Sequence, residues 1–356
     1  MQSKVIVTGA TGFLGGWLIQ HLLDKDFEVV AVLNPRSSAN KRDNSGYAIL
    51  ELERRCVEER IDITDYAAVE DLVLRHRPDV LIHMAAVGDV TVANNLPRST
   101  FETSANSTIN FLEALRLHSP DTLFLSHTTD KVYSGNPAPF GEDMLFNPLH
   151  IYEVAKVSQE LLTRSYAKHY GTKAITIRCG NYFGGHDFNF NRIVPYTIRQ
   201  ALRGENVVLR SNGKFTRDFL YIKDAVLIND MFIDRHLSPS SDLNYGEAYN
   251  FSLEIELSVI ELVRRILDIM ESDVGVEIDG RAQHEIPNMR LSCVKAREEL
   301  GWAPRYSLDD GLIETIESYA SSEPAKERPL VWPALLGIFA TDAAYNGFAL
   351  APAMCL

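Results

Sequence analysis

Lys4-Val5-Ile6-Val7-Thr8-Gly9-Ala10-Thr11-Gly12-Phe13-Leu14-Gly15 is the stretch that decides the fold. A short apolar run meets three glycines at i, i+3 and i+6, and an amphipathic segment follows with Phe13, Leu14, Trp17, Leu18, His21 and Leu22 on or near one face. Such spacing predicts strand, tight turn and helix. The glycines let the backbone turn sharply, approach a ligand closely and pack the helix against the sheet. The helix start then presents free N–H groups and a partial positive charge to a diphosphate. The alternative is a tight strand-to-helix connection without a ligand. Placement in an N-terminal βαβ unit favours dinucleotide binding through Gly9, Thr11, Gly12, Phe13, Leu14 and Gly15.

Outward from this turn, short apolar runs alternate with longer amphipathic ones, which predicts parallel strands covered by helices on both faces. Strands are expected at 4–8, 28–33, 57–61, 80–83, 122–126 and 174–178, and helices at 12–25, 66–75, 97–118, 151–170 and 257–270. The fold class is therefore α/β: a Rossmann-type doubly wound parallel sheet with a smaller α/β C-terminal substrate lobe. We divide the chain into a dinucleotide-binding domain over 1–180, to which later segments return, a lobe over 181–320, and an apolar extension over 321–356. The extension carries Pro333, Asp342 and Asn346 and lacks a basic flank, so it reads as a packed or unstructured tail rather than a membrane span.

The 356 residues carry a net charge of −13, which argues against a nucleic-acid polymer as partner but leaves room for a small anion held by local arginines. Cys56, Cys179, Cys293 and Cys355 form no C-x-x-C pair, so neither a zinc site nor a disulfide framework is expected, and no metal is assigned. The N-terminus enters the first strand at once, leaving no room for a signal peptide, so a cytoplasmic location is expected.

The second strand ends at Asn34-Pro35-Arg36 without the carboxylate that would hold the ribose hydroxyls of NAD. Arg36 is either a contact to the 2′-phosphate of NADP or a solvated loop residue, and the absent acid leans the choice toward NADP. Asn34, Asp62 and Ile63 are candidate adenosine contacts.

Tyr152-Glu153-Val154-Ala155-Lys156 places a phenol and an amine at i and i+4, on one helix face. A lysine ammonium there favours the phenolate and is expected to lower the tyrosine pKa, giving a base that removes a hydroxyl proton. After the fifth strand come Thr128-Thr129-Asp130-Lys131, at a strand end where ligands bind in open parallel sheets. Thr129 is suited to bond a reacting hydroxyl, Asp130 to deliver a proton, and Lys131 to act as base or to hold developing negative charge. A turn rich in Thr and Asp also forms for local reasons.

Taken together, these motifs resemble the extended short-chain dehydrogenase/reductase family over residues 4–320. The likeness rests on the glycine turn, His83-Met84-Ala85-Ala86, Thr129-Asp130-Lys131-Val132-Tyr133, Tyr152 with Lys156, Arg178-Cys179-Gly180-Asn181, Arg217-Asp218-Phe219 and Leu300-Gly301-Trp302. Within that family it is similar to the nucleotide-sugar 4,6-dehydratases, and the Thr-Asp-Lys turn to the CDP-glucose branch. Two features depart from it: the segment before Tyr152 lacks the usual Pro-Tyr, and Arg217-Asp218-Phe219 follows the general family. The resemblance implies NAD(P), with Ala85, Ala86 and Thr128 beside it, and a homodimer formed through two long helices. It implies that Tyr152 deprotonates the C4 hydroxyl as hydride leaves C4. Lys131 or a water it positions then takes the C5 proton, Asp130 protonates the departing C6 hydroxyl, and hydride returns to C6. Asn181, Arg192, Arg217 and Arg290 would hold the nucleotide diphosphate of the substrate. A 4-epimerase or ketosugar reductase is the alternative, since those reactions need Thr129, Tyr152 and Lys156 but not Asp130.

Overall fold

Lys4–Thr8 (β1) lies inside a parallel sheet, with an apolar strand on each side. The computed structural model describes residues 2–35, 45–88, 90–281 and 286–321. β1 pairs in parallel with Glu28–Leu33 (β2) on one side and with Val80–His83 (β4) on the other. Val57–Arg60 (β3) extends the first side, and Leu123–His127 (β5), Ala174–Cys179 (β6) and Ala248–Phe251 (β11) extend the second. The seven-stranded order is β11-β6-β5-β4-β1-β2-β3, and every pairing is parallel. Chain direction across the sheet reverses between β1 and β4. In a doubly wound sheet, that switch point opens a crevice at the strand C-termini.

Side-chain alternation divides the core in two. Val5, Val7, Val29, Ala31, Val80, Ile82, Leu123 and Leu125 pack on one face, with the helices Phe13–Asp24 and Ile222–Leu237. Ile6, Val30, Val32, Leu81 and Phe124 pack on the other, with Tyr66–His76, Ser107–His118 and part of Ile151–Tyr170. Being buried on both faces is why these strands read as continuous apolar runs.

The smaller lobe is built from two-stranded pieces. Asn181–Phe183 (β7) pairs with Phe219–Tyr221 (β10), Val207–Leu209 (β8) with Val276–Ile278 (β13), and Thr216–Arg217 (β9) with Leu257–Ser258 (β12). Helices Ile193–Arg203 and Val259–Ile269 enclose a separate core of Tyr196, Val207, Leu209, Val263 and Leu267. Ser258 starts the second of these: its hydroxyl accepts from Glu261 N while the Glu261 carboxylate accepts from Ser258 N.

Most of the expected elements lie within a residue or two of their places, with two corrections. The helix expected over 97–118 is interrupted: Pro97–Phe101 is followed by a π-helical turn, Glu102–Asn106, before Ser107–His118. Thr100, Ser107 and Thr108 bond back to carbonyls three to seven residues earlier, competing with the helical ladder. The helix expected to begin at 257 begins at Val259, because Leu257 and Ser258 pair with β9. The extension beyond residue 321 lies outside the described residues. Among those described, no helix is long and apolar enough to cross a membrane.

Candidate active site

The glycine turn is built to a tolerance that only glycine meets. Gly9 has φ +71°, and a Cβ there would lie 3.0 Å from Ala85 N. A Cβ on Gly15 would lie 2.3 Å from Gly9 O. Gly12 N donates to Gly9 O at 2.9 Å, and Gly12 caps the first helix without any side-chain bond to its free N–H groups. Those donors therefore remain directed at the crevice. Leu14 is buried in the core, so this residue offers a ligand its backbone rather than its side chain.

Thr8 ties the two halves of the switch point together. Its hydroxyl accepts from Met84 N and Ala85 N, both at 3.1 Å, and pairs with His83 Nδ1 at 2.9 Å. The other His83 nitrogen meets Ser107 Oγ at 3.1 Å, so the π turn is held against the sheet. A cleft of about 150 Å³ opens here, lined by Thr8, Gly9, Val32, Asn34, Ile61, Asp62, Ile63, Thr64, Ala85, Ala86, Ser99, Glu102 and Thr103. It brings together the expected Gly9, Asn34, Asp62, Ile63, Ala85 and Ala86. Arg36 lies outside the described residues. Ser99, Glu102 and Thr103 also line it, and no motif in the chain marked them. The hydroxyl-rich run 103–108, poor in helix formers, was the available signal. The free helix amides, the glycine-only cradle and the polar wall fit a dinucleotide.

The second half of the site lies at the end of β5. Thr129 accepts from Lys131 N at 3.3 Å and starts a 3₁₀ turn, Asp130–Tyr133, while its hydroxyl donates to Asp130 Oδ1 at 3.0 Å. Asp130 is buried, and its Oδ2 has no hydrogen-bond partner. Desolvation raises its pKa to about 6, against the opposing pull of Lys131. Facing it, the helix Ile151–Tyr170 presents Tyr152 and Lys156, both buried. Lys131 Nζ lies 5.9 Å from the centre of the Tyr152 ring.

The expected depression of the Tyr152 pKa is not what this arrangement produces. Burial pushes the phenol up to about 12, opposed by a bond with Thr129, raised further by Asp130 and lowered by Arg192. Lys156 instead donates to His127 O at 2.9 Å and Gln159 Oε1 at 3.0 Å, and desolvation brings its own pKa down to about 7. Sharing a helix face does not make the amine point at the phenol, and the nearer polar partners take it. Thr128 turns toward Glu160, with its hydroxyl 3.5 Å from Oε2.

The four residues expected to hold substrate differ in setting. Arg192 pairs with Asp187 at 2.9 Å, lies 5.9 Å from the Phe13 ring and acts electrostatically on Tyr152. Arg217 donates to Thr216 O and Ile286 O and is felt by Asp130. Asn181 donates to Asp218 O at 3.1 Å. Arg290 lies 3.5 Å from Glu256, and both are partly exposed. Among the described residues, no cluster suited to a metal ion occurs.

The sheet order, the glycine cradle and the paired turn and helix define a Rossmann-type enzyme of the short-chain dehydrogenase/reductase class. More narrowly, the chain belongs to the GDP-mannose 4,6 dehydratase family, whose model matches residues 6–315. It is 26% identical over 352 residues to dTDP-glucose 4,6-dehydratase of Escherichia coli, covering 90% of this chain and 94% of that protein. It is 29% identical over 322 residues to the low-salt glycan biosynthesis protein Agl12 of Haloferax volcanii, covering 90% and 99%. Among solved structures, UDP-glucose 4-epimerase of Thermotoga maritima, with UDP-glucose, superposes with a TM-score of 0.78 at 23% identity, covering 89% of this chain and 98% of that one. The dTDP-glucose 4,6-dehydratase of Bacillus anthracis, in complex with NAD, gives 0.78 at 21%, covering 91% and 98%.

Proposed function

We propose that this chain is a nucleotide-sugar 4,6-dehydratase, converting a nucleotide-diphosphate hexose to its 4-keto-6-deoxy form. The observation that carries the reading is Asp130. It is a buried carboxyl with an unpartnered oxygen and a pKa raised to about 6, beside Thr129 and within the field of Lys131. That environment suits a proton donor to a departing hydroxyl. Epimerisation at C4 and ketone reduction need no such group.

NAD or NADP, held by Gly9, Thr11, Gly12, Phe13 and Gly15 with Asn34, Asp62 and Ile63 near the adenosine, supplies a site that accepts hydride and gives it back. The chain's own residues do the rest. Tyr152 removes the C4 hydroxyl proton while Thr129 bonds that oxygen, and Arg192 favours the phenolate. Lys156 fixes the helix against β5 through His127 O. Once C4 is a ketone, the C5 proton is acidic and Lys131 takes it, while Asp130 protonates the C6 hydroxyl as it leaves. Asn181, Arg192, Arg217 and Arg290 bind the diphosphate and nucleotide. In this reading residues 1–180 hold the dinucleotide and 181–320 the nucleotide sugar.

The Thr129-Asp130-Lys131 turn supports CDP-glucose as substrate, whereas similarity to dTDP-glucose 4,6-dehydratases supports dTDP-glucose. Relatives solved with NAD support NAD over the NADP lean. Partly exposed Phe101, Ile109, Val154 and Leu161 on the helical face support pairing of two copies there. Purified protein is to be incubated with CDP-, dTDP-, GDP- and UDP-glucose and assayed for the alkali-induced absorbance of a 4-keto sugar. Product of unchanged mass with inverted C4 indicates the epimerase reading, which the likeness to the Thermotoga fold favours as the second choice.

A further inference from the structure

The groups of the site come from two separate elements, the turn 129–133 and the helix Ile151–Tyr170. Behind both runs a buried polar chain that the proposed chemistry does not use. Glu160 lies one helical repeat beyond Lys156 and two beyond Tyr152, on the same face. Its carboxylate is fully buried and faces Arg178 of β6, which is buried as well. Arg178 Nε donates to Glu160 Oε2 at 2.9 Å, Nη2 donates to Oε1, and Nη1 donates to the Tyr133 hydroxyl. The guanidinium also lies 5.0 Å from the Tyr133 ring centre. Tyr133 in turn donates to Asn250 Oδ1 at 3.2 Å, and the Asn250 amide donates to Phe140 O at 3.0 Å.

A fully buried ion pair contributes little net stability, because removing two charges from water costs about as much as their attraction returns. Apolar side chains of similar volume fill such a space equally well. They do not reproduce the direction of a two-pronged guanidinium–carboxylate contact. We propose that Arg178 and Glu160 are positioning residues: through Tyr133 they hold the turn bearing Thr129, Asp130 and Lys131 in fixed register with the helix bearing Tyr152 and Lys156. The proposal rests on the dehydratase reading for its effect on rate, though not for its effect on structure.

Two variants test it. Tyr133→Phe removes one hydroxyl and keeps the ring, and Arg178→Met combined with Glu160→Leu replaces the pair by apolar volume. In Tyr133→Phe, kcat for keto-sugar formation is expected to fall about tenfold or more with KM changed by less than about twofold, since misplacement of reacting groups lowers rate more than binding. In a single turnover, elimination should slow more than cofactor reduction. The double variant should melt close to the wild type and show the same split. In the unliganded protein, amide exchange over 128–134 should quicken in both variants while that of 151–170 stays unchanged. Wild-type kcat in Tyr133→Phe, or unchanged exchange over 128–134, overturns the proposal. If the wild type makes no keto sugar from any nucleotide tried, the dehydratase reading fails instead, and the exchange measurement still decides the positioning.

Discussion

Asp130 and Lys156 show how burial, more than neighbouring charge, sets the character of each group in this site. Desolvation is the largest influence on both, raising the acid to about 6 and lowering the amine to about 7. Asp130→Asn keeps the shape and removes the proton, so dehydrated product should fall on the order of 100-fold or more while cofactor reduction by the sugar stays detectable. Dehydration at the wild-type rate would show that another group is the acid. Lys156 gives a prediction about stability. Its ordinary pKa is 10.5, and in the folded chain it is near 7. Between those values the unfolded chain keeps the proton that the folded chain has lost, so stability rises with pH across that window. Lys156→Met should therefore compare best with the wild type at pH 7 and lose ground steadily toward pH 10.5, as read from denaturant midpoints. A constant gap would mean that the amine stays charged in the fold.

Among the elements, the glycine turn has the least freedom. A methyl group at Gly15 would sit 2.3 Å from Gly9 O and 2.7 Å from Ala10 O, both backbone atoms with nowhere to move. Gly15→Ala is expected to cost about 1–3 kcal/mol or more in unfolding free energy and to weaken dinucleotide binding sharply, measured by fluorescence titration with NADH. Binding at wild-type affinity would show that the turn is not the cradle. The π turn at 102–106 matters for a different reason. It brings Ser99, Glu102 and Thr103 to the cleft wall, and Ser107 to His83. Single-turn π bulges inside helices are frequent at functional sites.

Across the whole molecule, Asp218 joins the pieces of the lobe. Fully buried, it accepts from Phe219 N and Ile255 N through one oxygen and from Leu291 N through the other. These bonds fix the segments carrying Arg217 and Arg290 relative to β7. An amide in place of the carboxylate would turn a donor toward a buried N–H. Asp218→Asn should thus destabilise the protein by about 1–3 kcal/mol and weaken binding of a nucleoside diphosphate while leaving the dinucleotide affinity unchanged. Paired calorimetric titrations check it, and an equal loss of both ligands would argue against a local role.

The central strands could be read from the chain because they are buried on both sides, which forces runs such as Val80-Leu81-Ile82, whereas the edge strand Val57–Arg60 is largely exposed. Glycine spacing located the tight strand-to-helix turn because Gly9 needs a positive φ and Gly15 leaves no clearance for a side chain. Tyr152, Lys156 and the Thr129-Asp130-Lys131 turn were legible as chemical types at the ends of predicted elements. Folding alone decided where the polar groups point: Lys156 toward a strand carbonyl, Tyr152 into burial beside Val87 and Ala93, Arg192 against Phe13. Helical spacing fixes a shared face but not a hydrogen bond, and a pKa depends on everything packed around a group. For the same reason the Arg178–Glu160 contact and the Asp218 clamp, which join residues distant in the chain, came into view only with the tertiary structure.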